Sequence, residues 1–137
     1  MLINADDEAR RHLLTTARVI AVVGHSDRSN RTSYQIARYL RQSGYTVYPV
    51  NPEIESVNGQ PSYPSLAQIP EPIDIVNVFR RSEFLPDIID EAIAVGAKAV
   101  WAQLGVLSDD AANKAHAANL PLVMDQCIKV ERNRLLR

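Results

Sequence analysis

The chain has 137 residues, 46% of them hydrophobic and 23% charged, with 15 Lys+Arg against 16 Asp+Glu and a net charge of -1. That balance fits a single folded domain spanning residues 1–137. It excludes a disordered chain and a global positive field of the kind that draws nucleic acid or an anionic membrane. The lone Cys127 rules out an internal disulfide and a multi-cysteine zinc site.

No apolar run reaches the ~20 residues of a membrane span. The N-terminal MLINADDEARR carries acids and arginines where a signal peptide has an apolar stretch, so a cytoplasmic protein is expected. Asn4 and the acids Asp6 and Asp7 predict a helix start with Asn4 as cap, and Leu13, Leu14 and Ala17 give that helix an apolar side. VIAVVG, residues 19–24, is a β-branched run closed by glycine, the pattern of a strand buried on both faces. Thr32-Ser33-Tyr34-Gln35 has capping-box spacing, with Thr32 as cap, and opens a helix that runs to Gly44. YTVYPV, residues 45–50, is a second strand. Residues 51–72 hold most of the prolines and Asn58-Gly59, so they read as connection with one turn of helix near residues 65–69.

IDIVNVF, residues 73–79, is a third strand, followed by a helix with Ser82 and Pro86 at its start and Gly96 at its end. KAVWAQ, residues 98–103, is a fourth strand ending at Gly105. Ser108 caps a helix that Asn119 ends, LPLVMD at residues 120–125 is a fifth strand, and residues 128–136 form a short basic helix. Strands alternating with helices predict a parallel α/β sheet, a Rossmann-like three-layer sandwich with five strands in the order 3-2-1-4-5. Such sheets bind ligands beyond the strand C-termini, where this sequence gathers its loop glycines and polar residues.

The unit from the first strand into the following helix invites a dinucleotide reading, G-x-G-x-x-G. The loop reads GHSDRS: Gly24 holds the first position, but Ser26 and Ser29 hold the other two. A dinucleotide site also wants an acid about 20 residues further on for the ribose, and the second strand ends in Asn51 instead. A P-loop is excluded because no G-K-[ST] follows. What the loop does offer is cation and hydroxyl, with Arg28, Arg31, Thr32 and Ser33 leading into a helix N-terminus. Free backbone N–H groups and arginine together make an anion site there; a solvated loop before a well-capped helix is the other reading.

Taken in order, VVGHSDRSNRTSY, YPVNP, YPSL, DIVNVFR, GAKAVWAQLG and VMDQC resemble the small CoA-binding proteins of bacteria and archaea, themselves similar to the CoA-binding domain of the succinyl-CoA synthetase α subunit. The resemblance spans nearly the whole chain. It implies coenzyme A or an acyl-CoA as ligand, with Gly24, Ser26, Arg31 and Ser33 near phosphates and Asn51 and Pro52 beside the ligand. It also implies Phe79 and Arg80 near the adenine, and Gln103 and Gly105 on the same rim. Arg28 joins the set as a cation of the same loop. Where the family carries Asp-Arg-Cys after the fifth strand, this chain has Asp125-Gln126-Cys127. The three phosphates of CoA ask for cations where NAD asks for an acid, and the arginines fall at that edge.

No catalytic or metal-binding set emerges. His12 and His116 fall on helix surfaces, and His25 in the loop lacks an evident partner for general-base work. Cys127 reads as a small core residue rather than an activated thiol, Asp125 as a cap for the last helix, and Trp101 as an anchor between sheet and helix. The synthetases that the chain resembles use a phosphorylated histidine in a further domain, so no acyl-CoA synthetase activity is expected. The expected function is a CoA-binding module, non-catalytic or regulatory. The alternatives are a small enzyme using NAD or acyl-CoA through His25 or Cys127, and an interaction subunit with a vestigial site.

Overall fold

The computed structural model describes residues 6–136. Helix α1 (Asp7–Thr16) starts where the Asp6 carboxylate accepts the Ala9 N–H at 2.9 Å, with Asp7 and Glu8 at the positive end of its dipole. The expected Asn4 cap lies outside the described residues. Strand β1 (Val19–Val23) is buried at all five positions, as its unbroken apolar run requires. Helix α2 (Thr32–Gln42) and strand β2 (Thr46–Val50) complete the first βαβ unit.

The proline-rich connection holds a small antiparallel hairpin, β3 (Ser56–Val57) with β4 (Gln60–Pro61). Asn58 and Gly59 turn it with φ of 51° and 85°, the pair of positive φ values that a tight hairpin needs. The expected helical turn follows at Leu66–Gln68. Then come β5 (Ile75–Val78), α3 (Leu85–Ala94), β6 (Ala99–Ala102), α4 (Asp109–Ala117), β7 (Leu122–Val123) and α5 (Ile128–Leu135). Ser108 caps α4 by accepting the Ala111 N–H at 3.1 Å, and Asn119 ends the turn beyond it at φ 55°.

The five main strands are parallel throughout, flanked by helices in a Rossmann-like α/β sandwich. One apolar cluster joins Ala21, Val23, Val76, Val78 and Val100 to residues of α3 and α4. The other joins Ile20, Val22, Ile75 and the fully buried Trp101 to residues of α1, α2 and α5. The Trp101 indole N–H donates to the Gln126 carbonyl at 3.0 Å, so it anchors sheet to helix layer as expected.

The spatial order is β2-β1-β5-β6-β7. Counting sheet strands in chain order, this is 2-1-3-4-5, so the third strand lies beside the first and not outside the second, which corrects the expected 3-2-1-4-5. The outer edge of β2 is unsuited to a further strand. Pro49 has no N–H to give there, and its carbonyl accepts the Tyr63 N–H at 2.9 Å. The Val47 carbonyl on the same edge is taken by the Gln60 side chain at 2.6 Å. β2 is therefore an edge strand, blunted by its own proline and by the hairpin segment. The chain reverses direction across β1, and the switch point falls between β1 and β5.

An ionic clamp fixes α5 to α1. Glu131, 6% exposed, accepts from Arg10 at 2.6 Å and from Arg134 at 2.8 and 3.1 Å. Arg134 also grips the Asp7 carboxylate through both nitrogens, at 2.7 and 2.9 Å. The Arg134 and Arg10 guanidiniums hold the Glu131 carboxyl below its usual range despite its burial.

Candidate functional site

The site is built at the C-terminal ends of β1, β2, β5 and β6. β1 ends at Gly24, whose φ of 86° turns the chain away from the sheet while its N–H still donates to the Val50 carbonyl at 2.8 Å. From there the chain folds into a hydrogen-bonded cradle. The Ser26 N–H donates to Ser33 Oγ and the Arg28 N–H to Ser26 Oγ, both at 3.0 Å. The Arg31 N–H returns to the Arg28 carbonyl at 3.1 Å.

The expected Thr32 capping box does not form. Arg31 is the residue before the first helical turn and Thr32 is already helical, with no side chain capping the amides. Gln35 reaches past the expected cap to the Ser29 carbonyl at 3.3 Å, and the Ser33 hydroxyl is engaged by Ser26. The first-turn N–H groups of α2 therefore have neither an intrahelical acceptor nor a side-chain cap, and they face a cleft of about 510 Å³. Among the described residues, no carboxylate pairs with Arg28 or Arg31.

Most of the expected site residues meet here. Gly24, Ser26, Arg28, Arg31 and Ser33 line one side of the cleft, and Asn51, Phe79 and Gln103 enter it from the ends of three other strands. Pro52 and Arg80 line a second, adjoining cleft of about 340 Å³ that shares Gly24, Asn51 and Phe79 with the first. The Arg80 guanidinium stacks on Phe84, 4.3 Å from its ring centre. Gly105 is the exception, because it lines neither cleft. Its N–H is held by the Asp125 carboxylate at 2.6 Å, so it shapes the loop that presents its neighbours. Asp125 accordingly caps this loop and not α5, which starts at Ile128 after Cys127 with no side-chain cap.

Thr32, one of the hydroxyls of the anion-suited loop, also lines this cleft, and sequence reasoning missed three of its residues: Ile54, Leu104 and Val106. The three apolar ones carry no chemical signature and reach the cleft only through tertiary placement of their loops.

His25 lies behind the cradle, fully buried and outside the cleft lining. Its Nδ1 meets the Ser26 carbonyl at 2.7 Å, and its Nε2 meets the Arg41 guanidinium at 3.2 Å. Those partners demand a neutral ring that donates from Nδ1 and accepts at Nε2. Burial, with Arg41 adding to it, pushes its pKa down to about 4 from 6.5. Arg41 in turn donates to Gln60 at 3.0 Å, and the Asn51 amide donates to the His25 carbonyl at 3.0 Å. The cradle is thus braced against the edge of β2.

Below pH 6.5 the unfolded chain takes up a proton at His25 that the folded chain refuses until about pH 4. Stability from this group is complete above pH 6.5 and is lost as pH falls through that window. Urea unfolding between pH 7 and pH 4 should show a loss of roughly 3 kcal/mol that a His25→Asn variant lacks. Equal pH slopes in the two proteins would contradict it.

Cys127 lines neither cleft and packs against the cluster around Trp101. His12 and His116 are exposed on α1 and α4. Among the described residues no group of three or more His, Cys, Asp or Glu side chains has the spacing of a metal site, and no helix is long and apolar enough to cross a membrane.

A parallel sheet with an anion-suited helix N-terminus and unpaired arginines at its switch point defines a Rossmann-like ligand-binding domain. The chain belongs to the CoA-binding domain family, whose pattern matches residues 18–133. It is 42% identical over 120 residues to the uncharacterized protein YneT of Bacillus subtilis, covering 88% of this chain and 89% of that protein. It is 34% identical over 74 residues to the ADP-forming acetate–CoA ligase I of Archaeoglobus fulgidus, covering 54% of this chain and 11% of the ligase. A hypothetical protein from Pyrococcus horikoshii superposes with a TM-score of 0.93 at 38% identity, covering 97% of this chain and 94% of that one.

Proposed function

We propose that this protein is a cytoplasmic module that binds coenzyme A or an acyl-CoA and performs no chemistry on it alone. The observation that carries the reading is the uncapped N-terminus of α2, open to the cleft beside Arg28 and Arg31. A pyrophosphate seated there accepts the first-turn N–H groups and is flanked by guanidinium. The adjoining cleft, with Phe79 and Arg80, takes the adenine end.

A nicotinamide dinucleotide is disfavoured. Ser26 stands where a glycine lets the pyrophosphate approach, and its hydroxyl and amide are already engaged in the cradle. Asn51, at the place of the ribose-binding acid, spends its side chain on the His25 carbonyl and the Glu53 N–H. An enzymatic role through His25 or Cys127 is disfavoured because neither lines the cleft and the His25 lone pair is occupied by Arg41.

Calorimetry with CoA, acetyl-CoA, NAD and ATP in parallel tests the proposal. CoA should bind more tightly than NAD, and the purified chain should form no thioester from ATP, CoA and a carboxylic acid. Equal or reversed affinities for CoA and NAD would overturn it. Binding of none of the four would favour an interaction subunit with a vestigial site.

A further inference from the structure

The two walls of the larger cleft differ in chemistry. One is the cationic cradle. The other carries the amides of Asn51 and Gln103 and four apolar residues: Ile54 beyond β2, Phe79 at the end of β5, and Leu104 and Val106 beyond β6. Leu104 is 68% exposed and Leu107, on the same loop, is 51% exposed. An isolated exposed leucine on a protein surface is ordinary. This one lines a cleft next to an anion site, and its loop cannot turn it inward.

Five hydrogen bonds fix that loop. The Val106 N–H returns to the Gln103 carbonyl at 2.8 Å, and Asp125 accepts the Gly105 N–H at 2.6 Å and donates its own N–H to the Val106 carbonyl at 3.1 Å. Ser82 Oγ donates to the Gly105 carbonyl at 3.3 Å and accepts the Leu107 N–H at 3.0 Å. Ser82 and Asp125 thus hold a loop that buries Val106 in the core cluster and leaves Leu104 exposed as a lip beside the cleft.

We propose that this lip receives the hydrocarbon chain of a fatty acyl-CoA, so that the ligand class is a medium-chain acyl thioester in preference to free CoA. The inference rests on the CoA reading above, and the layout of the site gives it direction. The second cleft lies over the ends of β2, β1 and β5, the cradle leads from the end of β1 into α2, and Leu104 and Val106 lie beyond β6 in the same cleft as the cradle. A ligand with its adenine in the second cleft and its pyrophosphate in the cradle runs its far arm towards that lip. The polarity matches along the way: phosphates against guanidinium and N–H, the amides of the pantetheine arm beside Asn51 and Gln103, and the alkyl chain at the end of that arm against leucine and valine. Each methylene taken out of water is worth up to about fourfold in affinity, so partial burial of an eight-carbon chain is readily measured.

The test is calorimetry of the full chain with CoA, acetyl-CoA and octanoyl-CoA, repeated with Leu104→Asn. Octanoyl-CoA should bind at least about tenfold more tightly than CoA, with acetyl-CoA close to CoA. Leu104→Asn should bring the octanoyl-to-CoA affinity ratio down severalfold, with the ligand-free melting temperature unmoved. Measurable CoA binding with an octanoyl-to-CoA ratio near one would overturn this inference alone. A raised ratio that Leu104→Asn leaves intact would also overturn it, by placing the chain elsewhere. No binding of any of the three would overturn the CoA reading and this inference together.

Discussion

Arg31→Ala is expected to weaken CoA binding by about 1.5–3 kcal/mol, roughly tenfold to a hundredfold, without lowering the stability of the ligand-free protein. Arg31 is the last residue before α2, it is exposed, and it lines the cleft beside the uncapped amides. Its contribution to the fold is made by the backbone: its N–H donates to the Arg28 carbonyl at 3.1 Å and its carbonyl accepts the Gln35 N–H at 3.1 Å. Alanine keeps both bonds, so the loss falls on the ligand. Arg31→Lys restores charge without the planar fork and should lie in between. Arg38→Ala, which removes the same charge from an exposed turn of α2 outside the cleft, should cost far less and measures the general electrostatic part. The wild-type affinity should also fall as salt is raised, as for a partly exposed ion pair. An alanine variant that binds CoA like the wild type would remove Arg31 from the site and pass its role to Arg28.

The elements were legible because their signals are local. Val19 to Val23 is apolar at every position and could only be a strand covered on both sides, and Ser108 before two acids is a helix cap in any context. Strand order is a different kind of property, and it went wrong although one residue held the answer. Pro49 cannot sit in the middle of a sheet with ladder bonds on both sides, so YPV already marked β2 as an edge. Asn58-Gly59 likewise announced a hairpin inside what was expected to be connection.

At the site, residue types were readable and their duties were not. Thr32 to Gln35 spells a capping box, a pattern that assumes the helix satisfies its own amides. Here Ser33 turns back to Ser26 and Gln35 to Ser29, which leaves those amides to something outside the chain. The misread cap and the candidate ligand site are thus one feature. The His25–Arg41–Gln60 chain joins residues 16 and 19 positions apart through side chains alone, and no periodicity could have announced it.

Gly24→Ala should destabilise the fold by about 3 kcal/mol, and a matched glycine separates the reasons. Gly24 and Gly59 have nearly the same backbone, φ 86° and 85°. An added Cβ pays the left-handed penalty at either place, about 1–2 kcal/mol. Their surroundings differ. At Gly59 a Cβ would meet nothing within 4 Å, whereas at Gly24 it would lie 3.2 Å from the Phe79 carbonyl oxygen, 3.3 Å from its carbonyl carbon and 3.3 Å from Arg80 Cδ. The arginine methylene can swing aside. The Phe79 backbone is tied to β1 by its N–H to the Val23 carbonyl at 2.9 Å and yields only by loosening that bond. Overpacking of this kind adds about 1–3 kcal/mol. Gly59→Ala should therefore lose about 1–2 kcal/mol in urea unfolding and Gly24→Ala clearly more. Only Gly24→Ala should also weaken CoA, because Gly24 and Phe79 line both clefts and the shift moves the floor on which the ligand would rest. Equal losses at the two positions would mean that the close approach of β1 to Phe79 is slack, and that Gly24 is needed for its turn alone.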